Sequence, residues 1–233
     1  MQRSTLDRLL EARAAKRPAA HLRWLEHGDE ALVVAGEVVA GEPLPQPILD
    51  AVQSAHRRDK GATIESARGP LFIQVFNPPL RLIVVGAVHI AQSLVPMASL
   101  AGYDVTVVDP RRAFASDARF PGVEVRQDWP DEALEELKPD ARTAVVTLTH
   151  DPKLDDPALD LALRSDAFYI AALGSKRTHA ARLERLSALG HDAPALERIY
   201  GPAGLSIGAV SPAEIALSVI AEMTQVLRQG GNG

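Results

Sequence analysis

Four short stretches hold most of the residues able to do chemistry: Gly86-Ala87-Val88-His89, Asp109-Pro110-Arg111-Arg112, Thr149-His150-Asp151 and Gly174-Ser175-Lys176-Arg177. A glycine just before a helix lets unpaired backbone N–H groups face an anion. Asp109 follows Gly86 at about the 20-residue spacing where an acidic side chain accepts hydrogen bonds from ribose hydroxyls, whereas Arg111 suits a phosphate. In the last stretch Gly174 permits an unusual backbone angle, Ser175 can cap the next helix, and Lys176 and Arg177 add positive charge beside its free amides, which makes a phosphate site. His150 titrates near neutrality, and an adjacent Asp151 carboxylate can fix its tautomer for acid/base work.

Each stretch also has a purely structural reading. His89 can cap or pack a helix, Asp109 and Asp151 can cap the turns they open, and Arg111, Arg112, Lys176 and Arg177 can be solvated charges. Their shared position tips the balance toward a ligand, since all four follow segments that read as strands. The sequence holds no cysteine, no G-x-S-x-G elbow and no H-E-x-x-H pair. Thiolate metal sites, cysteine nucleophiles, disulfides and the common hydrolase and zinc-protease machinery are thereby excluded. An organic ligand is expected in preference to a metal ion.

The elements that must hold these residues alternate regularly after Pro79. Apolar runs at Leu82–Val85, Val105–Val108, Val123–Val125, Thr143–Leu148 and Phe168–Leu173 read as strands, and Val88–Ala101, Asp131–Leu137 and Pro157–Arg164 carry helical spacing. This alternation predicts a Rossmann-like parallel sheet flanked by helices, with ligands beyond the carboxyl ends of its strands. The dinucleotide fingerprint G-x-G-x-x-G/A is met by Gly86 and Ala91 but has Val88 at its centre, where a branched side chain stands in the path of a pyrophosphate.

Residues 1–78 are expected to form a small α+β domain, joined at Asn77-Pro78-Pro79 to a Rossmann-like domain over 79–233. The spacing predicts a helix over 4–16 with Ser4 as its N-cap, strands at 22–25, 31–35 and 71–76, and a helix over 47–58 opened by proline. Near the other end, Ser211-Pro212-Ala213-Glu214 reads as a capping box opening an apolar helix to about Leu227. The preceding loop contains Gly201, Gly204 and Gly208, whose spacing suggests close backbone approach to a ligand or to a neighbouring helix.

A net charge of −5 lacks the basic footprint of nucleic-acid binding. The chain opens on a charged amphipathic segment, and no apolar run reaches the roughly 18 residues of a membrane span, so a cytoplasmic protein is expected. A symmetric homodimer is the default expectation for assembly.

Taken together, Val145-Val146-Thr147-Leu148-Thr149-His150-Asp151, Tyr169-Ile170-Ala171-Ala172-Leu173-Gly174-Ser175-Lys176-Arg177, Gly201-Pro202-Ala203-Gly204-Leu205-Ser206-Ile207-Gly208-Ala209 and Ser211-Pro212-Ala213-Glu214-Ile215-Ala216 resemble the carboxy-terminal domain of the XdhC/CoxI family. The resemblance runs from about Leu80 to Leu227. It implies an accessory protein that handles molybdenum cofactor, as molybdopterin or its cytosine dinucleotide form, and passes it to a xanthine dehydrogenase-type apoenzyme, with a sulfurtransferase as a further partner. It implies a cofactor-insertion chaperone more than a catalyst. In that reading Gly86, Ala87, Val88, His89, Asp109, Arg111, Thr149, His150, Asp151, Gly174, Ser175, Lys176, Arg177, Gly204 and Gly208 form the cofactor site. The family turn Gly-Ala-Gly-His is here Gly86-Ala87-Val88-His89, and the family's amino-terminal G-S-x-P-R and G-G-C-x-E motifs are not found before Pro78. With no cysteine, the chain has no thiolate of its own to carry sulfur. Two other readings stand beside it: an NAD(P)-linked oxidoreductase using the same crevice, and a docking module for a dehydrogenase that binds no ligand and would have a blocked crevice and an apolar patch elsewhere.

Overall fold

The computed structural model describes residues 2–116 and 118–229. The chain divides into two compact units, one ending at Pro78 and one starting at Pro79.

In the first unit, β1 (Ala19–Trp24), β2 (Glu30–Val34), β3 (Glu37–Ala40), β4 (Ala62–Ser66) and β5 (Gly69–Phe76) form an antiparallel sheet in the order β3-β2-β1-β5-β4. Successive side chains of a strand leave by opposite faces, so the sheet can bury two sides. Ala20, Leu22 and Trp24 pack with Ile48, Val52 and Ala55 of α2 (Gln46–Arg58), while Ala19, Leu32 and Val34 pack with Leu9 and Ala12 of α1 (Arg3–Ala14). The cap of α1 is Gln2 and not Ser4, which lies inside the helix. Strands β3 and β4 have no counterpart in the sequence expectations; both are short and half exposed, so neither carries a continuous apolar run.

The second unit is a six-stranded parallel sheet formed by β6 (Leu80–Val85), β7 (Tyr103–Val108), β8 (Glu124–Arg126), β9 (Thr143–Thr147), β10 (Tyr169–Ala172) and β11 (Ile199–Tyr200), in the order β11-β10-β9-β6-β7-β8. Strand order reverses between β6 and β9, which makes their carboxyl ends the switch point of a doubly wound fold. The apolar strands are buried on both faces. Leu82, Val84, Val107 and Val146 face α3 (His89–Leu100) and α8 (Pro212–Gln229), whereas Ile83, Val85, Val108 and Val145 face α4 (Pro130–Leu137), α5 (Pro152–Leu163) and α6 (Lys176–Ala188). Each such side chain contributes about 1.5–3 kcal/mol on burial. On α3 the residues Ala91, Leu94, Val95 and Ala98 repeat at helical spacing and supply its buried stripe.

In this unit one helix boundary differs by several residues from the sequence reading, for a local reason. Helix α5 starts at Pro152, five residues before the expected Pro157, because Asp151 caps it and Pro152 takes the first position, where no N–H is needed. The short α7 (Ala193–Leu196) and β11 were not anticipated, and both are too brief for a periodic signal. The capping box of α8 forms as read: the Glu214 carboxylate accepts from the N–H groups of Val210 and Ser211 at 2.9 and 2.8 Å, and Ser211 Oγ accepts from the Glu214 N–H at 3.2 Å. Among the described residues, no helix is long and apolar enough to cross a membrane.

Candidate functional site

The switch point brings three of the four stretches into direct contact, those holding Gly86, Asp109 and Thr149. Gly86 has φ of +112°, and a Cβ on it would lie 2.6 Å from the Thr149 methyl carbon, so the turns after β6 and β9 can meet only because residue 86 lacks a side chain. The Gly86 N–H donates to the Val108 carbonyl at 2.9 Å, tying the same turn to the end of β7. Val88 precedes α3 in an extended conformation with its side chain partly packed against the core, and His89 begins the helix exposed. The Ala87 carbonyl accepts from Arg119 Nη1 at 2.7 Å, and Arg119 Nη2 reaches Gln92 at 3.0 Å. Arg119 therefore fastens this turn from the connection that follows β7.

Asp109 directly follows β7 and is fully buried. Its Oδ2 accepts from the Ala87 N–H at 2.8 Å and from Arg111 Nη2 at 2.7 Å. Its Oδ1 accepts from the Arg111 backbone N–H at 3.0 Å and from Arg111 Nε at 2.9 Å. Burial pushes the Asp109 carboxyl up, but the bonds from Arg111 and the Ala87 amide outweigh it and hold the group below the usual carboxylate range. The Arg111 guanidinium lies 4.7 Å from the centre of the Phe114 ring, and Arg119 lies 5.7 Å from the same centre. Arg112 points to solvent.

After β9, His150 adopts a left-handed conformation with φ of +61° and is exposed. Its neighbour Asp151 does not orient the imidazole, because its carboxylate accepts from the Lys153 N–H at 3.0 Å to cap α5. The conformation of this turn is held from beneath by Asp155, which is 1% exposed. Asp155 accepts from Thr149 Oγ1 at 2.7 Å and from the His150 N–H at 3.1 Å. Burial pushes its carboxyl above the ordinary range, although Thr149 and Arg182 pull the other way.

The turn after β10 has Gly174 at φ of +145° and Ser175 as the cap of α6, accepting from the Thr178 N–H at 3.1 Å. Lys176 and Arg177 are exposed at the helix start. Below them Arg182 is 1% exposed; Nη2 donates to the Leu173 carbonyl at 2.8 Å and lies 3.8 Å from Asp155, while Nε and Nη1 have no hydrogen-bond partner. Burial lowers the affinity of this guanidinium for its proton, and the half-buried His179 beside it is also held below the usual histidine range, first by burial and then by Arg182.

The glycine-rich loop is only partly at this edge. Gly204, at φ of +94°, is pressed against α8: a Cβ there would lie 2.2 Å from Ser218 Oγ and 3.0 Å from the Val219 amide nitrogen. Its N–H donates at 2.9 Å to Glu222, which also accepts from the Tyr169 hydroxyl at 2.6 Å. Burial, reinforced by Glu222, pushes that phenol far above its usual range. Of the two readings open for Gly204, close approach to a neighbouring helix is the one observed, and the half-buried Glu222 ties the loop to that helix by its hydrogen bonds. Gly208 has open space around it.

Asp155, Arg182 and Arg119 were missed by sequence reasoning. A signal for Asp155 existed: it lies on the stripe of Leu154, Ala158, Leu159 and Ala162, where a solvated carboxylate has no place. Arg182 similarly shares the buried face of α6 with Leu186.

Comparison with known proteins adds identity to this geometry. The chain is 35% identical over 163 residues to a Bacillus subtilis (strain 168) protein named as a probable xanthine dehydrogenase component, covering 68% of this chain and 46% of that protein. It is 33% identical over 151 residues to the molybdenum cofactor insertion chaperone PaoD of Escherichia coli (strain K12), covering 65% of this chain and 41% of the relative. The chain thus spans less than half the length of these curated relatives. A crystal structure described as a xanthine dehydrogenase from Bacillus halodurans matches 97% of this chain and 67% of its own at a TM-score of 0.76 and 26% identity. The family described as the XdhC Rossmann domain matches residues 82–223, and the chain belongs to that family.

Proposed function

We propose that the protein binds molybdenum cofactor at the carboxyl edge of the β6-to-β11 sheet and delivers it to a xanthine dehydrogenase-type molybdenum hydroxylase apoenzyme. One observation carries the reading: an XdhC-family Rossmann domain directs its cationic groups, Arg111, Lys176 and Arg177, to the edge where folds of this class bind ligands. The relative named as a molybdenum cofactor insertion chaperone supports the same direction.

These residues fit the anionic part of such a cofactor. Arg111 is oriented by Asp109 and stacked near Phe114, with its side chain 37% exposed. The start of α6 offers free backbone N–H groups between Lys176 and Arg177, a favourable place for phosphate. His89, at the start of α3, and His150, in the turn after β9, are exposed and available to contact the opposite end of a bound pterin. The cofactor, once installed in the client enzyme, supplies the redox chemistry. This chain's residues hold it by its phosphate, orient it and shield it from water, and no covalent step is required of them.

The strand order also suits a dinucleotide, which keeps an NAD(P)-linked oxidoreductase as the competing reading. Purifying the protein from a host that makes molybdenum cofactor, then identifying the bound molecule by mass spectrometry, separates the two. A co-purified pterin is expected. Recovery of NAD(P) without pterin would replace this reading by the second.

A further inference from the structure

We infer that the end of β7 is a phosphomonoester seat that rejects a ribose diol, and that Arg111 decides this choice. In dinucleotide folds the acidic residue at this strand end accepts hydrogen bonds from ribose hydroxyls, and an arginine nearby instead receives a phosphate. Here both residue types are present, so the choice depends on what each is already bonded to. A carboxylate offers about four lone-pair sites. Asp109 meets four donors: the Ala87 N–H, the Arg111 N–H, Arg111 Nε and Arg111 Nη2, at 2.7–3.0 Å. With the side chain fully buried, no acceptor capacity is left for a hydroxyl.

Arg111 is in the opposite condition. Its Nε and Nη2 are committed to Asp109, whereas Nη1 makes no hydrogen bond among the described residues and the side chain is 37% exposed. The two bonds to one carboxylate fix the plane of the guanidinium, and Phe114 at 4.7 Å supports its face. A guanidinium held in this way presents its remaining N–H groups to an anion without loss of rotamer freedom on binding. Arg119, fastened to the Ala87 and Phe114 carbonyls at 2.7 and 2.9 Å, adds a second positive charge on the same connection. The carboxylate of Asp151 acts on Arg111 from across the switch point, but it is engaged in capping α5.

This inference rests on the proposed cofactor site and narrows its ligand. A cofactor ending in a phosphomonoester satisfies Arg111, whereas one continuing through a pyrophosphate into a ribose presents a diol where no acceptor is available. NADP+ and NAD+ serve as probes, because they differ by one phosphomonoester at the position that the second strand end reads. Titration calorimetry on the full chain is expected to give at least tenfold tighter binding of NADP+ than NAD+. Arg111→Gln is expected to abolish that preference by releasing the Asp109 carboxylate, and Arg111→Lys to restore it in part. Melting temperatures of both variants identify any loss of fold.

Equal binding of the two dinucleotides by the unaltered protein, or a preference for NAD+, overturns the inference whatever happens to the pterin. If neither dinucleotide binds measurably, retention of co-purified pterin decides. A tenfold loss in folded Arg111→Gln sustains the seat, and undiminished retention overturns it. A preference for NADP+ in a protein that never carries pterin would remove the proposed function and leave the seat standing. Absence of both dinucleotide and pterin binding removes both.

Discussion

The Asp155 carboxylate and the Arg182 guanidinium face each other at 3.8 Å, and neither side chain is more than 2% exposed. They join two turns of the candidate site from below, because Asp155 holds Thr149 and the His150 N–H while Arg182 holds the Leu173 carbonyl. At 3.8 Å the attraction only partly offsets burial, which pushes Asp155 up and Arg182 down. Breaking such a pair leaves one charge buried alone, with a penalty of about 3–5 kcal/mol. Arg182→Met is expected to lower the unfolding free energy in urea by an amount in that range at neutral pH, and Asp155→Asn added to it to recover part of the loss. Because the folded carboxyl titrates above its unfolded value, ionising it weakens the fold as pH rises. The Arg182→Met defect should therefore shrink on acidification through the carboxylate range. An unchanged unfolding free energy would show that the pair does not support these turns.

His179 supplies a second pH dependence with the opposite sign. The residue is half-buried, its Nδ1 is buried without a hydrogen-bond partner, and Arg182 opposes its protonation. The unfolded chain binds the proton more readily, so stability is complete above about pH 6.5 and declines as pH falls below it. One group changes stability by at most about 1.4 kcal/mol per pH unit. His179→Gln should flatten the unfolding free energy between pH 7 and 5 relative to the unaltered chain. Parallel curves for the two proteins would rule out this histidine as a source of acid sensitivity.

The contact between Gly86 and Thr149 predicts a partial rescue. Gly86→Ala places a Cβ 2.6 Å from the threonine methyl and puts alanine at φ of +112°. Backbone strain of this kind costs about 1–3 kcal/mol, and the clash adds to it. Thr149→Ser in the same chain removes the methyl but leaves the strained backbone. Thermal unfolding should thus rank the single variant lowest, the double variant between, and the unaltered protein highest. Equal stability of single and double variants would mean that the turns separate instead of clashing.

Lys176 and Arg177 test the second anion position independently of Arg111. Both are exposed as the first two residues of α6, and neither makes the cap bond, which Ser175 supplies. Replacing both with alanine should leave the melting temperature within about 2 °C. Cofactor retention should fall by roughly ten- to a hundredfold, as expected for loss of a charge-assisted hydrogen bond to phosphate. Full retention in the double variant would move the phosphate away from α6.

Much of this architecture was legible in the sequence because it is written in local patterns. Runs such as Leu82–Val85 and Val105–Val108 are almost wholly apolar, with Thr106 the one polar member, because a parallel strand is buried on both faces, and the glycine and aspartate that follow them mark the ligand edge. The Ser211-to-Glu214 cap was readable for the same reason, since its partners are three residues apart. Strands β3 and β4 were not legible, because half-exposed strands of four or five residues carry no pattern of their own and exist through pairing with β2 and β5. The state of the candidate site was beyond any local pattern. Sequence spacing placed Asp109 where a ribose acceptor belongs, but only the fold shows the Ala87 N–H from another strand end and the Arg111 fork filling its oxygens. It likewise left Gly204 open between ligand and helix, and α8 packing against it decides for the helix. Hydrogen-bond capacity and burial are properties of neighbours brought together from distant parts of the chain, so residue type sets what a group can do and tertiary structure sets what it has left to do.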